Sequence, residues 1–199
     1  MRHKTLWAGG ALAALLLAGL ALFGYSASPA PDAQPPAGGP ITLDSTRGTF
    51  SLEQLNADRV AVVSFGYTSC PDVCPINQTV TRQALTRLTS EQRTRVVPLF
   101  ISVDPERDSI ARLREYVGYF GESFIGATGS QVQLDDIAER YGVIWRRTET
   151  PNSAMGYTID HSAKLFVVNH HGEILEQVLY STNPEGLVKA LQAALEQQA

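Results

Sequence analysis

The residues of this 199-residue chain best equipped for chemistry are two cysteines and four histidines. Cys70 and Cys74 lie in the segment Phe65-Gly-Tyr-Thr-Ser-Cys-Pro-Asp-Val-Cys-Pro75. On a helical turn, side chains four residues apart share a face, with Cβ atoms roughly 5–6 Å apart. That separation suits two ligands of one metal. The C-x3-C spacing differs from the C-x2-C of thiol oxidoreductases. Taken alone, the pair is open to three readings: a metal site, a redox dithiol, or a structural disulfide in an oxidising compartment. The Cα separation of an i, i+4 pair allows a bridge, but so short a loop constrains little of the unfolded chain.

The cysteines need a strand before them and a helix after them. Arg59–Tyr67 is a short β-branched and aromatic run, which predicts a buried strand. Pro75 marks a helix start, continued by Val80, Ala84, Leu85 and Leu88 at helical spacing. A strand-to-helix loop places both sulfurs at the C-terminal edge of a sheet, open to a ligand. The unpaired N–H groups and dipole of the helix start lower thiol pKa values there.

The remaining pattern alternates. Ile41–Leu52 reads as a hairpin with turn signals at Asp44 and Gly48; Arg95–Val103 as a second buried strand; Asp108–Phe120 as a helix; Phe124–Ala127 as a short strand. Ser130–Tyr141 is a helix capped by Ser130 and stopped at Gly142. Lys164–Asn169 and Glu173–Tyr180 form a hairpin around His171-Gly172, and Asn183-Pro184 starts a last helix. Helices on both faces of a sheet that ends in an antiparallel hairpin and a helix give an α/β sandwich, thioredoxin-like in class.

In such a sheet the loop entering strand Lys164–Asn169 faces the cysteine loop, and His161 sits in it. His161 thereby becomes a candidate third ligand. Two thiolates and one imidazole suit Cu(I) by softness and also accommodate Cu(II) or zinc. His170 and His171 read as exposed turn residues, and His3 belongs to the basic N-terminus.

Thr5 to Pro31 carries no charge, and Leu6–Tyr25 is almost wholly apolar, with Met1-Arg-His-Lys4 before it. The run is nearer to the about 20 residues of a spanning helix than to a signal-peptide core, and Trp7 and Tyr25 sit like interfacial anchors. Cleavage after Ala27 or Ala30 is the competing reading. Arg2 and Lys4 leave the N-terminus inside and export the rest. Residues 1–25 are therefore expected to be a transmembrane anchor, 26–40 a Pro/Ala/Gly-rich tether, and 41–199 the folded domain. Taking Arg2 and Lys4 from the 16 basic residues leaves 14 against 20 acidic ones, a net charge of −6. This leaves no electrostatic footprint for nucleic acid.

Three segments together, FGYTSCPDVCP (Phe65–Pro75), SVDPERD (Ser102–Asp108) and DHSA (Asp160–Ala163), resemble the Sco/SenC family of copper-binding assembly factors for cytochrome c oxidase. The similarity extends across nearly the whole exported domain. It implies a thioredoxin-like fold with an N-terminal anchor in a bacterial inner membrane, the domain facing the periplasm. It also implies copper, Cu(I) or Cu(II), held by Cys70, Cys74 and His161. The implied partner is the copper-receiving subunit of cytochrome c oxidase, with a periplasmic copper donor or a thioredoxin-like reductant upstream. The implied role is delivery of copper to the dinuclear centre, or reduction of its cysteines by a Cys70–Cys74 redox pair.

Where thioredoxin-type oxidoreductases place a cis-proline, this chain has Ile159-Asp-His-Ser162, which favours metal binding over general disulfide exchange. The peroxiredoxin Thr-x-x-Cys is absent, because Thr68 is one residue out of step. Asp72 reads as an exposed non-ligand, and Asp160 as either an orienting partner of His161 or a strand-edge residue. Asp104–Asp108 reads as a turn and helix cap, or as a rim that docks a partner. Met155 reads as packing.

Overall fold

Seven successive buried residues in Val60–Gly66 (β3) and seven in Val96–Ser102 (β4) make the two central strands, since runs with no polar face are stable only when covered on both sides. The computed structural model describes residues 37–153 and 155–198. The expected anchor, and the tether as far as residue 36, lie outside them. Among the described residues no helix is long and apolar enough to cross a membrane.

The other elements are β1 (Thr42–Ser45), β2 (Gly48–Ser51), α1 (Val73–Arg87), α2 (Ser90–Thr94), α3 (Ile110–Gly118), β5 (Ile125–Thr128) and α4 (Gln131–Arg140). After them come β6 (Trp145–Thr150), β7 (Gly156–His161), β8 (Leu165–Val168), β9 (Ile174–Val178) and α5 (Glu185–Gln197). The main sheet runs β2-β1-β5-β4-β3-β8-β9. Strands β3, β4 and β5 are parallel, and β8 and β9 close the far side antiparallel. This is the thioredoxin-like sandwich expected. Helices α1, α3 and α5 cover one face around Val62, Phe100 and Leu165. Helix α4 and the β6–β7 hairpin cover the other, around Val63, Phe65, Leu99 and Phe166. The fully covered Leu187, Leu191 and Leu195 hold α5 down, each side chain contributing about 1.5–3 kcal/mol.

Two features differ from the sequence reading. Helix α1 begins at Val73, two residues before Pro75; a proline fits inside a first turn because its missing N–H would have no helical partner there. The stretch read as a connection to the last hairpin is itself a two-stranded sheet, β6–β7, separate from the main one. Two of the tether residues are also fixed: Gly38 N–H donates to Arg140 O (3.0 Å) and Gly39 N–H to Gly172 O (2.8 Å). At that crossing Gly172 has φ +81°, and a Cβ there would run into the Gly39 carbonyl.

Candidate metal centre

Strand β3 ends at Gly66 and the chain turns through Tyr67 to Cys70, whose N–H donates to Tyr67 O (3.2 Å). Cys74 follows as the second residue of α1 and is 1% exposed; Cys70 is half-buried. Gly66 lies directly beneath Cys74, where an added Cβ would stand 2.5 Å from its Sγ and 3.0 Å from the Phe100 ring.

The loop is braced by a carboxylate. Asp108, fully buried, accepts from Thr68 N–H (2.8 Å), Thr68 Oγ1 (2.6 Å) and Ser102 Oγ (2.6 Å). Arg112 donates to Thr68 Oγ1 and Ser69 Oγ from outside. Asp108 is thus an internal strut rather than a docking rim, and the cap of α3 is Ser109, whose hydroxyl accepts from Arg112 N–H. Asp104, expected in the same rim, is also buried. Asp72 is exposed, as read from sequence.

His161 is the last residue of β7, at the end of a strand rather than in a loop. Its hairpin is clasped to the body by side chains. Tyr157 OH donates to Asp104 Oδ1 (2.7 Å), and Arg107 donates to Asp104 and to the carbonyls of Met155 (3.1 Å) and Tyr157 (2.9 Å). The Arg107 and Arg147 guanidiniums stand 3.5 and 3.6 Å from the Tyr157 ring centre, so close that they must take opposite faces. Burial, then the Asp104 hydrogen bond, push the Tyr157 hydroxyl up to about 12, which keeps it a donor. Tyr157, Ile159 and His161 alternate onto one face of β7, facing clasp, core and metal centre in turn. Met155 packs against the core. On the other side, Asn77 Nδ2 of α1 donates to Ala163 O (3.0 Å), tying the segment after His161 to the cysteine helix.

The three expected ligands meet: Cys70 Sγ, Cys74 Sγ and a His161 ring nitrogen all lie within 4.8 Å of one another. The His161 ring is oriented by main chain. Nδ1 lies 3.0 Å from Ser162 O, and a carbonyl only accepts, so Nδ1 carries the proton and the Nε2 lone pair faces Cys74 Sγ at 3.1 Å. Asp160 does not perform that service: its carboxylate accepts from Thr148 Oγ1 and pairs with Arg146 in the open. Tyr67 walls the site edge-on, its ring 6.1 Å from that of His161.

The two sulfurs share one proton. The Cys74 thiol donates to Cys70, and with the Asp72 and Cys74 amides it lowers the Cys70 pKa to about 4. Donating that bond, together with burial, pushes Cys74 far up. The site therefore presents one thiolate, one thiol that can follow it, and one imidazole lone pair, a soft donor set matched to copper or zinc. His161 also borders a shallow depression lined by Ile144, Arg146, Asp160 and Ser162. Sequence reasoning named the three residues that meet here but not their supports. A partial signal for the hairpin was present in the β-favouring run Tyr157–His161 and the turn residues Pro151-Asn-Ser and Gly156 before it.

The chain matches the family described as SCO1/SenC over residues 29–196. It is 31% identical over 140 residues to the SCO2-like protein of Rickettsia prowazekii, covering 70% of this chain and 67% of that one. Arabidopsis thaliana ScoI with copper bound superposes with a TM-score of 0.72 at 30% identity, over 81% of this chain and 99% of the other. Yeast Sco1 with copper bound gives 0.68 at 28% identity, over 81% and 90%.

Proposed function

The chain belongs to the SCO1/SenC family, and from that premise we propose that it is a copper metallochaperone that holds its cargo through Cys70, Cys74 and His161 and passes it to the dinuclear copper centre of a cytochrome c oxidase subunit. The observation that carries this reading is the convergence of two sulfurs and a correctly turned imidazole within 4.8 Å. Two similar solved structures have copper bound, and the donor set favours Cu(I) while tolerating Cu(II). Cys70 and His161 are both partly exposed, so incoming ligands of a receiving protein can replace them one at a time. The uncharged run Thr5–Pro31 behind Arg2 and Lys4 supports a membrane anchor with the domain on the periplasmic side.

Anaerobic titration of the reduced full chain with copper tests the site. We expect one ion per chain, and His161→Ala should weaken it by more than about a hundredfold, since losing even an outer partner of a ligand costs about 10–100-fold. Unchanged affinity and spectrum in that variant would remove His161 from the ligand set.

A second reading rests on the thiolate itself. Cys70, half-buried and ionised, can attack a partner's disulfide and release one partner thiolate. Cys74, on losing its proton, then attacks the Cys70 sulfur and releases the second. The pair ends as a disulfide and the partner gains two electrons. Because the Cys70 pKa lies at about 4, alkylation of Cys70 should stay flat from neutral pH to about pH 5 and fall only below that, with Cys74 inert. A labelling rate that drops tenfold per unit from pH 8 downward would rule this thiolate out.

A further inference from the structure

Seven arginines of the described residues meet a carboxylate; Arg47, Arg59, Arg82, Arg93 and Arg114 do not. Arg82 and Arg114 lie on exposed helix faces. The other three line one cleft of about 330 Å³, to which no acidic residue contributes. Arg47 donates to the Glu122 carbonyl, and Arg93 to the carbonyls of Leu85 (2.8 Å) and Leu88 (3.2 Å), neutral acceptors that orient a guanidinium without cancelling its charge. Arg59 has a buried Nε with no partner at all. A buried donor left unmade is unfavourable, and three uncompensated cations around one hollow add mutual repulsion.

The cleft lies far from the metal centre. Arg59 precedes β3, Arg93 sits in α2 just before β4, and Arg47 is in the β1–β2 turn, whereas the cysteines follow the other end of β3. A strand of this length separates the two ends by about 20 Å. The cleft floor is apolar, formed by Phe50, Val96 and Ile125, and its volume falls within the about 300–1,000 Å³ of small-ligand sites.

We propose that this cleft binds a phosphate ester carried on a small, partly apolar group. Three guanidinium forks match the several oxygens and double charge of a phosphate better than a single carboxylate does, and Phe50 and Ile125 receive the organic part. The same chemistry is offered by a soluble phosphorylated metabolite and by the headgroup of an anionic phospholipid, and one experiment separates them.

The full chain is mixed with vesicles of zwitterionic lipid and labelled with phenylglyoxal, and modification of Arg47 and Arg59 is followed by mass spectrometry against exposed Arg82. Glycerol 3-phosphate, at ten times the concentration that half-protects, should slow labelling of Arg47 and Arg59 about tenfold and leave Arg82 unchanged. Protection by vesicles containing phosphatidic acid, but not by soluble glycerol 3-phosphate, would assign the cleft to a lipid headgroup. In either case Arg59→Gln should abolish protection of Arg47 while copper stoichiometry stays as in the parent and the melting temperature does not fall. Protection by neither source, equal slowing at Arg82, or protection of Arg47 that survives in Arg59→Gln would overturn the proposal.

Discussion

Cys70 and Cys74 stand on a loop fastened on every side to the main sheet: β3 enters it, α1 leaves it, and Asp108 grips it from β4's end. His161 arrives instead on a hairpin that shares no ladder with that sheet and is held by Tyr157, Arg107 and Asp104. The contrast teaches that two candidate ligands are positioned by the fold's own core and the third by a side-chain clasp. Stability and metal affinity should therefore separate: changes on the cysteine side should disturb both, and changes in the clasp mainly affinity.

The largest expected effect tests the strut. Asp108→Asn turns an NH2 toward donors that need an acceptor, and should destabilise the domain by about 2–3 kcal/mol in denaturant unfolding. It should also weaken copper binding whether or not His161 is present. Parental stability in this variant would show the cysteine loop to be self-supporting. Next comes Gly66→Ala, whose methyl must displace the Cys74 sulfur. Overpacking of this kind costs about 1–3 kcal/mol, and the copper spectrum should shift with it.

The smallest change in stability belongs to Tyr157→Phe, which removes one hydrogen bond to Asp104, about 1 kcal/mol. Copper affinity should nonetheless fall about tenfold. In a His161→Ala background the same substitution should have no further effect on copper, a coupling that a double-mutant cycle measures. Additive losses would mean that the clasp does not act through His161, and the contrast between the two regions would fail.

The order of strands and helices was legible because β3, β4, α1 and α5 carry long, pure patterns, and the candidate ligands because Cys70, Cys74 and His161 are chemically conspicuous. The β6–β7 hairpin was hidden by charge on both faces of β6: Arg146 on one, Arg147 and Glu149 on the other break the hydrophobic alternation, while Tyr157 and Ile159 of β7 lie buried in the core. Asp104 and Asp108 were read as turn or rim because carboxylates seldom lie fully buried. Nothing in a linear sequence announces that Thr68 and Ser102 will converge on one of them. Of the two readings of Asp160, the strand-edge one holds, and the orienting role fell to the Ser162 carbonyl, since every residue carries such an acceptor and none marks itself in the sequence.

The alternation of Tyr157, Ile159 and His161 along β7 also limits how this chain can change length. Insertions at the hairpin's tip, between Thr150 and Gly156, leave the phase of the strand untouched and should accumulate freely. A single deletion between Tyr157 and His161 would exchange the inward and outward sets, bringing Thr158 or Asp160 into register with the core. Drift in this leg of the hairpin is therefore confined to steps of two residues, a parity constraint imposed by a metal ligand on the gaps that its neighbourhood can tolerate.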